Sequence, residues 1–379
     1  ATRPFASTSS ALQGVAAGVT VTNSSGAPGS QGTIRVRGIG TLNNSNPLIL
    51  IDGVEGDMNS IDPSMIASIN VLKDAASSSI YGSRAANGVI LVTTKRATSG
   101  GIKVDYNTYF GVQSPTDLPQ KVGAIDHMRM INLAHTNSGA SPLFTEAYIN
   151  EYQANMAENP DKYPNTDWQK LVLTGSGFMQ NHNVSINSGT EKIKLLTSAG
   201  FLDQKGIIET SGFKRYTFRN NADIQLHKHL SLKADVQFVK GVSTQPGAGA
   251  TSVFLQMNRI PAIQPGVYSN GLFGEAWNGE NPVAFASAAG GSQVEEVMKL
   301  SGRFVLNYTP NDWLSAEVLV QPRFEEVYND NYNKAITTYQ VDGTPVFTRP
   351  ERTTLAMRSQ RSMYNNYYGY LNLYESVGK

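Results

Sequence analysis

The sequence contains no cysteine, which rules out disulfides, thiolate zinc clusters and thiol catalysis. Charge is also scarce. Asp, Glu, Lys and Arg make up 16% of the chain, against the roughly 25% usual in soluble domains, while the hydrophobic share is an ordinary 40%. The formal net charge of +1 gives no bulk field that would draw the chain to nucleic acid or to an acidic partner. No run of about 18 apolar residues occurs, so no transmembrane helix is encoded; a strand-built membrane protein would leave no such run either. Enzyme signatures are missing as well: there is no G-x-S-x-G, no H-E-x-x-H and no Walker loop. The glycine pairs Gly38-Gly40 and Gly29-Gly32 do not form G-x-G-x-x-G entering a helix. The five histidines are scattered. His227 and His229 share a strand face and could chelate weakly, but a turn position favours solvated surface. No carboxylates are paired by spacing for acid/base work. No catalytic residue, metal ligand or cofactor is expected.

What is present begins at Gly32. Four short apolar runs, TIRVRG (33–38), PLILIDG (47–53), INVLKD (69–74) and GVILVTTK (88–95), are bounded by Gly, Asn, Asp or Pro and read as strands. Between the last two lies DAASSSIYGSRAANG (74–88), small and helix-tolerant at its front, where Gly82 can close a turn with positive φ. A compact α+β module of about 100 residues is expected, with Arg35, Arg37, Asp52, Lys73, Asp74 and Arg84 set among its strands. Arg35 and Arg37 alternate onto one strand face, where their forked donors suit carboxylates. Asp52 precedes a glycine and reads as a turn former.

Past Thr98-Ser99-Gly100-Gly101 the pattern changes to longer strands of alternating polarity. Ile102, Val104, Tyr106, Thr108, Phe110 and Val112 alternate with Lys103, Asp105, Asn107, Tyr109 and Gln113. The same period recurs through 181–187, 192–201, 215–226, 230–238, 300–308 and 314–320, with a Tyr-rich last strand near 362–376, about eight strands in all. Tight turns at Gly189-Thr190, 227–229 and 309–312 alternate with long Gly/Asn/Pro-rich stretches at 113–177, 242–296 and 329–356. Short turns on one rim and long loops on the other mark outer-membrane barrels, and Tyr109, Phe110, Phe178, Trp313 and Tyr328 would supply interfacial girdles. A soluble β-sandwich alternates in the same way and stands as the competing reading.

The ordered blocks ALQGVAAGVTVTNSSGAPG, IRVRGIG, PLILIDGV and SINVLKDAASSSIYGSRAANGVILVTTK resemble the plug domain of TonB-dependent outer-membrane transporters, in the form closest to the SusC type. The resemblance covers roughly a quarter of the chain. It implies an antiparallel membrane β-barrel with an N-terminal α+β plug domain inside the lumen, residues 1–100 being plug and 101–379 the N-terminal part of the barrel. Plugged lumens need about 22 strands, whereas about eight enclose only their own side chains. An open sheet cannot sit in lipid either, because each unpaired edge group costs several kcal/mol. The chain is therefore expected to be the N-terminal portion of a longer transporter, rather than one closed by a second chain. ATRPFASTSS carries no Met or signal peptide, so export is expected to have been directed by a segment outside this sequence.

The same resemblance implies TonB-dependent import of a bulky nutrient, a glycan or oligopeptide, across the Gram-negative outer membrane. Its implied partners are TonB with the inner-membrane proton-motive complex, a SusD-like surface lipoprotein lid and outer-membrane lipid. Residues 1–10 show no recognisable TonB-binding segment. Substrate contact is implied at the plug apex, on Thr41, Leu42, Asn43, Asn44, Ser45 and Asn46 and on Glu55, Asp57 and Asn59, with Tyr81 and Arg84 beside them; turn formation explains many of these residues equally well. Arg35 and Arg37 are expected to make plug–barrel contacts, and Trp and Asn in EAWNGEN (275–281) could stack on a sugar face. A siderophore or cobalamin receptor is the alternative within the class, and a secreted carbohydrate-binding β protein the alternative outside it.

Overall fold

The computed structural model describes residues 7–14, 18–38, 44–73 and 79–374. At the N-terminal end, β1 (Val19–Thr22) and β2 (Thr33–Val36) form an antiparallel pair. A mixed sheet in the order β4-β3-β6-β5 lies beside it, made of β3 (Leu48–Ile51), β4 (Val54–Glu55), β5 (Ile66–Leu72) and β6 (Val89–Thr94). Its hinge is the Asp52-Gly53 pair. Both residues take positive φ, 49° and 87°, and Ile51 faces Val54 across them, as a two-residue hairpin of the Asp-Gly kind requires. Val21, Ile34, Val36, Ile51, Met58, Ile61, Ile90 and Val92 close one core. Gly82, at φ 65°, breaks a 3₁₀ run over Ser79–Ala85; residues 74–78 of the expected helical segment lie outside the described residues.

The wall follows. Seven strands run from β7 (Gly100–Gln113) through β8 (Gly177–Gly189), β9 (Ile193–Lys205), β10 (Gly212–His227), β11 (Leu230–Pro246) and β12 (Gly291–Asn311) to β13 (Leu314–Asn333). After a small hairpin of β14 (Ile336–Tyr339) and β15 (Pro345–Arg349), β16 (Thr354–Leu373) completes an eight-stranded antiparallel sheet in sequence order. The sheet is open, with β7 and β16 at its edges.

Turns at 190–192, 228–229 and 312–313 gather on one rim, and the connections 114–176, 206–211, 247–290 and 334–353 on the other. Two of the three expected long stretches are shorter than anticipated, since β11 continues to Pro246, β12 starts at Gly291, β13 runs to Asn333 and β16 starts at Thr354. The connections are also not bare loops. Helices Ala124–Asn137, Glu146–Asn155, Trp168–Val172, Ala250–Arg259 and Pro282–Ala286 fill them. Thr145, Asp167 and Asn281 cap three of these by accepting from the backbone N–H of Tyr148, Lys170 and Val283. Trp168, Ile208, Val253, Ile260, Phe285 and Ile336 share a core, so all four connections of that rim pack into one layer.

The faces of the wall decide between membrane and soluble readings. On β10, Arg215, Arg219 and Asn221 are buried toward the plug, while Tyr216 and Phe218 between them are each 43% exposed. Leu300, Phe304, Leu306, Tyr308 and Val318 are likewise exposed. A sandwich buries its apolar face; this sheet does the reverse, as a barrel in lipid must. Phe110 stacks on Phe178 at 6.2 Å between ring centroids and Trp313 is exposed, as girdle residues would be. Tyr109 falls on the opposite, half-buried face and does not join them. Leu306→Arg should therefore cost the full-length barrel about 2–4 kcal/mol of folding free energy in lipid vesicles. Asn307→Arg, one residue on and facing inward, should cost far less; equal losses would contradict the assigned faces.

Candidate functional site

The site grows from the Asp52-Gly53 turn. Asp52 accepts from Thr94 N–H at 2.9 Å and from Thr94 Oγ1 at 2.7 Å, which ties the turn to the end of β6. Arg219 on β10 then donates Nη2 to Asp52 Oδ2 at 2.9 Å, and both side chains are 9% exposed. Nε and Nη1 donate to Asn221 and Gln237 on the wall and Nη2 also to Thr94 Oγ1, so all three nitrogens of the buried cation have partners. Asn221 in turn donates to the Lys95 carbonyl at 2.8 Å.

One residue further along, Arg96 forms a fork onto Asp223, 2.9 Å from Nε and 2.7 Å from Nη2, and reaches Asp235 with Nη1 at 2.9 Å. Asp235, 5% exposed, is shared with Arg303 at 3.0 Å. Three arginines and three aspartates thus gather at the plug–wall boundary, Arg96 and Asp52 from the plug and the other four from the wall, and the balance lets so many charges lie out of bulk water. Beneath them Val54 packs on Val305 and Leu319, an apolar contact between plug and wall. Nearer the long-loop rim, Lys299 meets Asp57 at 3.1 Å, Gln237 donates to the Ser60 carbonyl at 2.6 Å and Arg215 to the Asn59 carbonyl at 3.3 Å.

Above these contacts a cleft of 320 Å³ opens between plug and wall, lined by Gly29, Gln31, Asp57, Asn59, Phe213, Gln245 and Glu295 among others. Gly29 is the tightest approach. Its φ is 75°, and a Cβ there would fall 2.5 Å from the Phe213 ring, so only glycine fits. Its N–H donates to Gln204 on the wall.

The sequence-predicted residues separate into three groups. Asp57 and Asn59 line the cleft; Asn59 also accepts from Ser9 N–H and donates to Gln31. Glu55 is held by Arg84, and its carbonyl accepts from Arg323 on the wall; Tyr81 packs near Leu50, Ala85 and Val89. Asn44, Ser45 and Asn46 lie at the other end of the mixed sheet from Asp52, because β3 and β6 run parallel from Leu48 and Val89. There Asn87 donates to the Asn44 carbonyl. Thr41, Leu42 and Asn43 lie outside the described residues.

Of the two arginines expected between plug and barrel, the first bonds, among the described residues, within the plug. Arg35 donates to Asn46 and to the Ile34 carbonyl, both within the plug. Arg37 does not share its face, because β2 ends at Val36 and Arg37 turns to φ 58°. Ion pairs with the wall are made by Arg96, Asp52 and Asp57. The signal for Arg96 was its place: the last cation before the glycine junction, where the chain leaves one unit for the other. Asp52 forms the turn its Asp-Gly pair indicates and carries an ion pair besides. His227 is exposed and His229 half-buried, 5.8 Å between rings, and His229 contacts the Thr309 carbonyl; among the described residues no grouping could hold a metal ion. In EAWNGEN, Trp277 is 47% exposed and the Asn278 carbonyl accepts from Arg349.

A plug held by charge pairs against the polar face of a sheet whose apolar face looks outward is the build of an outer-membrane receptor with its own stopper. Comparison with known proteins agrees. Residues 1–89 match the TonB-dependent Receptor Plug Domain family. TonB-dependent receptor P26 of Formosa agariphila is 34% identical over 88% of this chain and 33% of its own length. TonB-dependent receptor SusC of Bacteroides thetaiotaomicron is 33% identical over 68% of this chain and 25% of its own. The fold superposes on the RagAB peptide importer in its open-open state with a TM-score of 0.78 and 20% identity, over 100% of this chain and 44% of that one. The chain belongs to the SusC-type TonB-dependent receptors of the Gram-negative outer membrane. It spans about a third of the length of P26 and a quarter of that of SusC.

Proposed function

We propose that this chain serves TonB-dependent import of a bulky nutrient, a glycan or oligopeptide, with residues 1–100 as the gating plug and 101–379 as part of the barrel. The observation that carries the reading is the Arg96–Asp223–Asp235 and Arg219–Asp52 lattice. It holds the plug by ion pairs rather than by a continuous apolar core, so a pull can undo the contact group by group. No phosphate-binding loop is present in the sequence, so the work comes from outside the chain, through TonB pairing with an upstream segment by strand addition. A SusD-like lipoprotein closing over the loop layer would trap cargo before the plug yields. Asp57 and Asn59 at the cleft are the plug residues that meet the cargo. The cleft offers hydrogen-bond donors and acceptors, which suits holding and releasing a cargo. The chelate-receptor alternative is not favoured, since P26 and SusC supply the sequence likeness.

Uptake of fluorescently tagged oligosaccharides and oligopeptides by cells carrying the full-length receptor tests this. Uptake should vanish when TonB is deleted and fall several-fold for Asn59→Ala. Undiminished entry without TonB would overturn the reading.

A further inference from the structure

A cavity of 400 Å³ lies within the loop layer, walled by segments of the connections 114–176, 247–290 and 334–353 and by no plug residue. Its size is within the roughly 300–1,000 Å³ of small-ligand clefts. Tyr268 lines it and is only 6% exposed, yet its hydroxyl bonds to none of the described residues. The ring is packed away while the oxygen is reached from the cavity, so the phenol is open to a ligand's hydrogen bond. Its position is rigid: Tyr268 N–H donates to the Leu272 carbonyl, and Gly271 N–H donates back to the Tyr268 carbonyl. Burial, with the negative charge of Glu275, Asp161 and Asp342, pushes the phenol above its usual range, so it stays a donor.

The rest of the lining is mixed in a telling way. Among the described residues the Glu275 carboxylate and the Gln264 and Gln340 side-chain amides have no hydrogen-bond partner, while Asp161 is already taken up by the N–H and hydroxyl of Ser269. At the rim, Phe144 and Tyr148 lie nearly parallel, 13° apart with 6.1 Å between centroids. Tyr152 props Tyr148 edge-on at 5.9 Å, leaving Tyr148 41% exposed. A flat aromatic step takes the C–H face of a sugar ring. An acceptor, two amides and a phenol beside it match hydroxyls, which both give and accept hydrogen bonds. An ammonium ligand would need acceptors alone, and Lys162 at the same rim opposes it.

We propose that this pocket captures a pyranose unit of an uncharged glycan at the cell surface, apart from the plug cleft. The choice of ligand class rests on the import reading above; the pocket itself does not. The test uses the full-length receptor in detergent, titrated calorimetrically with hexasaccharides of α-1,4-glucose, β-1,4-glucose and β-1,4-xylose, and with Gly/Ser and Lys hexapeptides. At least one hexasaccharide should bind. Tyr148→Ala should weaken it about tenfold and Tyr268→Phe, which removes one oxygen and leaves the packing, about fivefold. Lys228→Ala, in an exposed turn of the opposite rim, should leave this binding unchanged. Wild-type affinity in both tyrosine variants, binding by none of the sugars, or preference for the Lys peptide would overturn the proposal. TonB-dependent uptake measured in parallel separates the two readings: its loss as a property sinks import alone, and its persistence with unaltered pocket binding sinks the capture site alone.

Discussion

Arg219→Met should loosen the docked plug by about 3–5 kcal/mol, the usual cost of removing one member of a buried ion pair. The remaining Asp52 carboxylate would keep its two bonds from Thr94 but sit 9% exposed with no cation. Asp52→Asn should cost a similar amount from the other side. Asparagine tolerates the positive φ of this turn, so that loss reports the ion pair and not the hairpin. The double variant should cost much less than the sum, because exchanging the whole pair is often close to neutral. Urea titration of plug unfolding within the full-length receptor reads all three. Losses below about 1 kcal/mol for either single variant would place this pair with weak surface bridges instead.

The second large effect is expected at Arg96, which answers two carboxylates at once. Arg96→Met leaves Asp223 without its fork and Asp235 dependent on Arg303 alone. A loss of about 3–5 kcal/mol is again expected, now at the root of the plug, four residues before β7 begins. Arg96→Lys should recover less than half, since an ammonium cannot span both aspartates in the planar geometry the guanidinium provides. In planar bilayers the Met variant should show frequent large conductance steps that the wild type lacks. Full recovery by lysine would mean that charge alone, and not the fork, fastens this end.

Much of this architecture is legible before any coordinates. The plug strands stand out because their apolar runs are short and cut by Gly, Asn and Asp, and the wall strands because lipid on one side and polar lumen on the other force a strict two-residue period. The period fails where the environment does. In 291–299, 325–333 and 354–362 the strands continue through polar sequence such as GSQVEEVMK and EEVYNDNYN. About 9–11 residues cross the bilayer, so these 20-residue strands project beyond it and meet water on both faces, with nothing to impose alternation.

The helices of the loop layer were hidden for another reason. Ala124–Asn137 buries only Ala124 and Met128 fully, too narrow a stripe to announce a helix. Partner choice was least visible. Arg35 and Arg37 looked paired because an extended strand would align them, and a single left-handed residue removes that alignment. Arg96 meets Asp223 across 127 positions and Arg219 meets Asp52 across 167, separations that no local pattern encodes.

The shared core of Trp168, Ile208, Ile260 and Ile336 has a consequence for how cargo preference can change. A crust knitted from several strips of chain cannot be retailored one strip at a time. Swapping a single strip from a relative would leave its neighbours facing the wrong side chains, so new appetites should arise by exchange of the entire crust as a block.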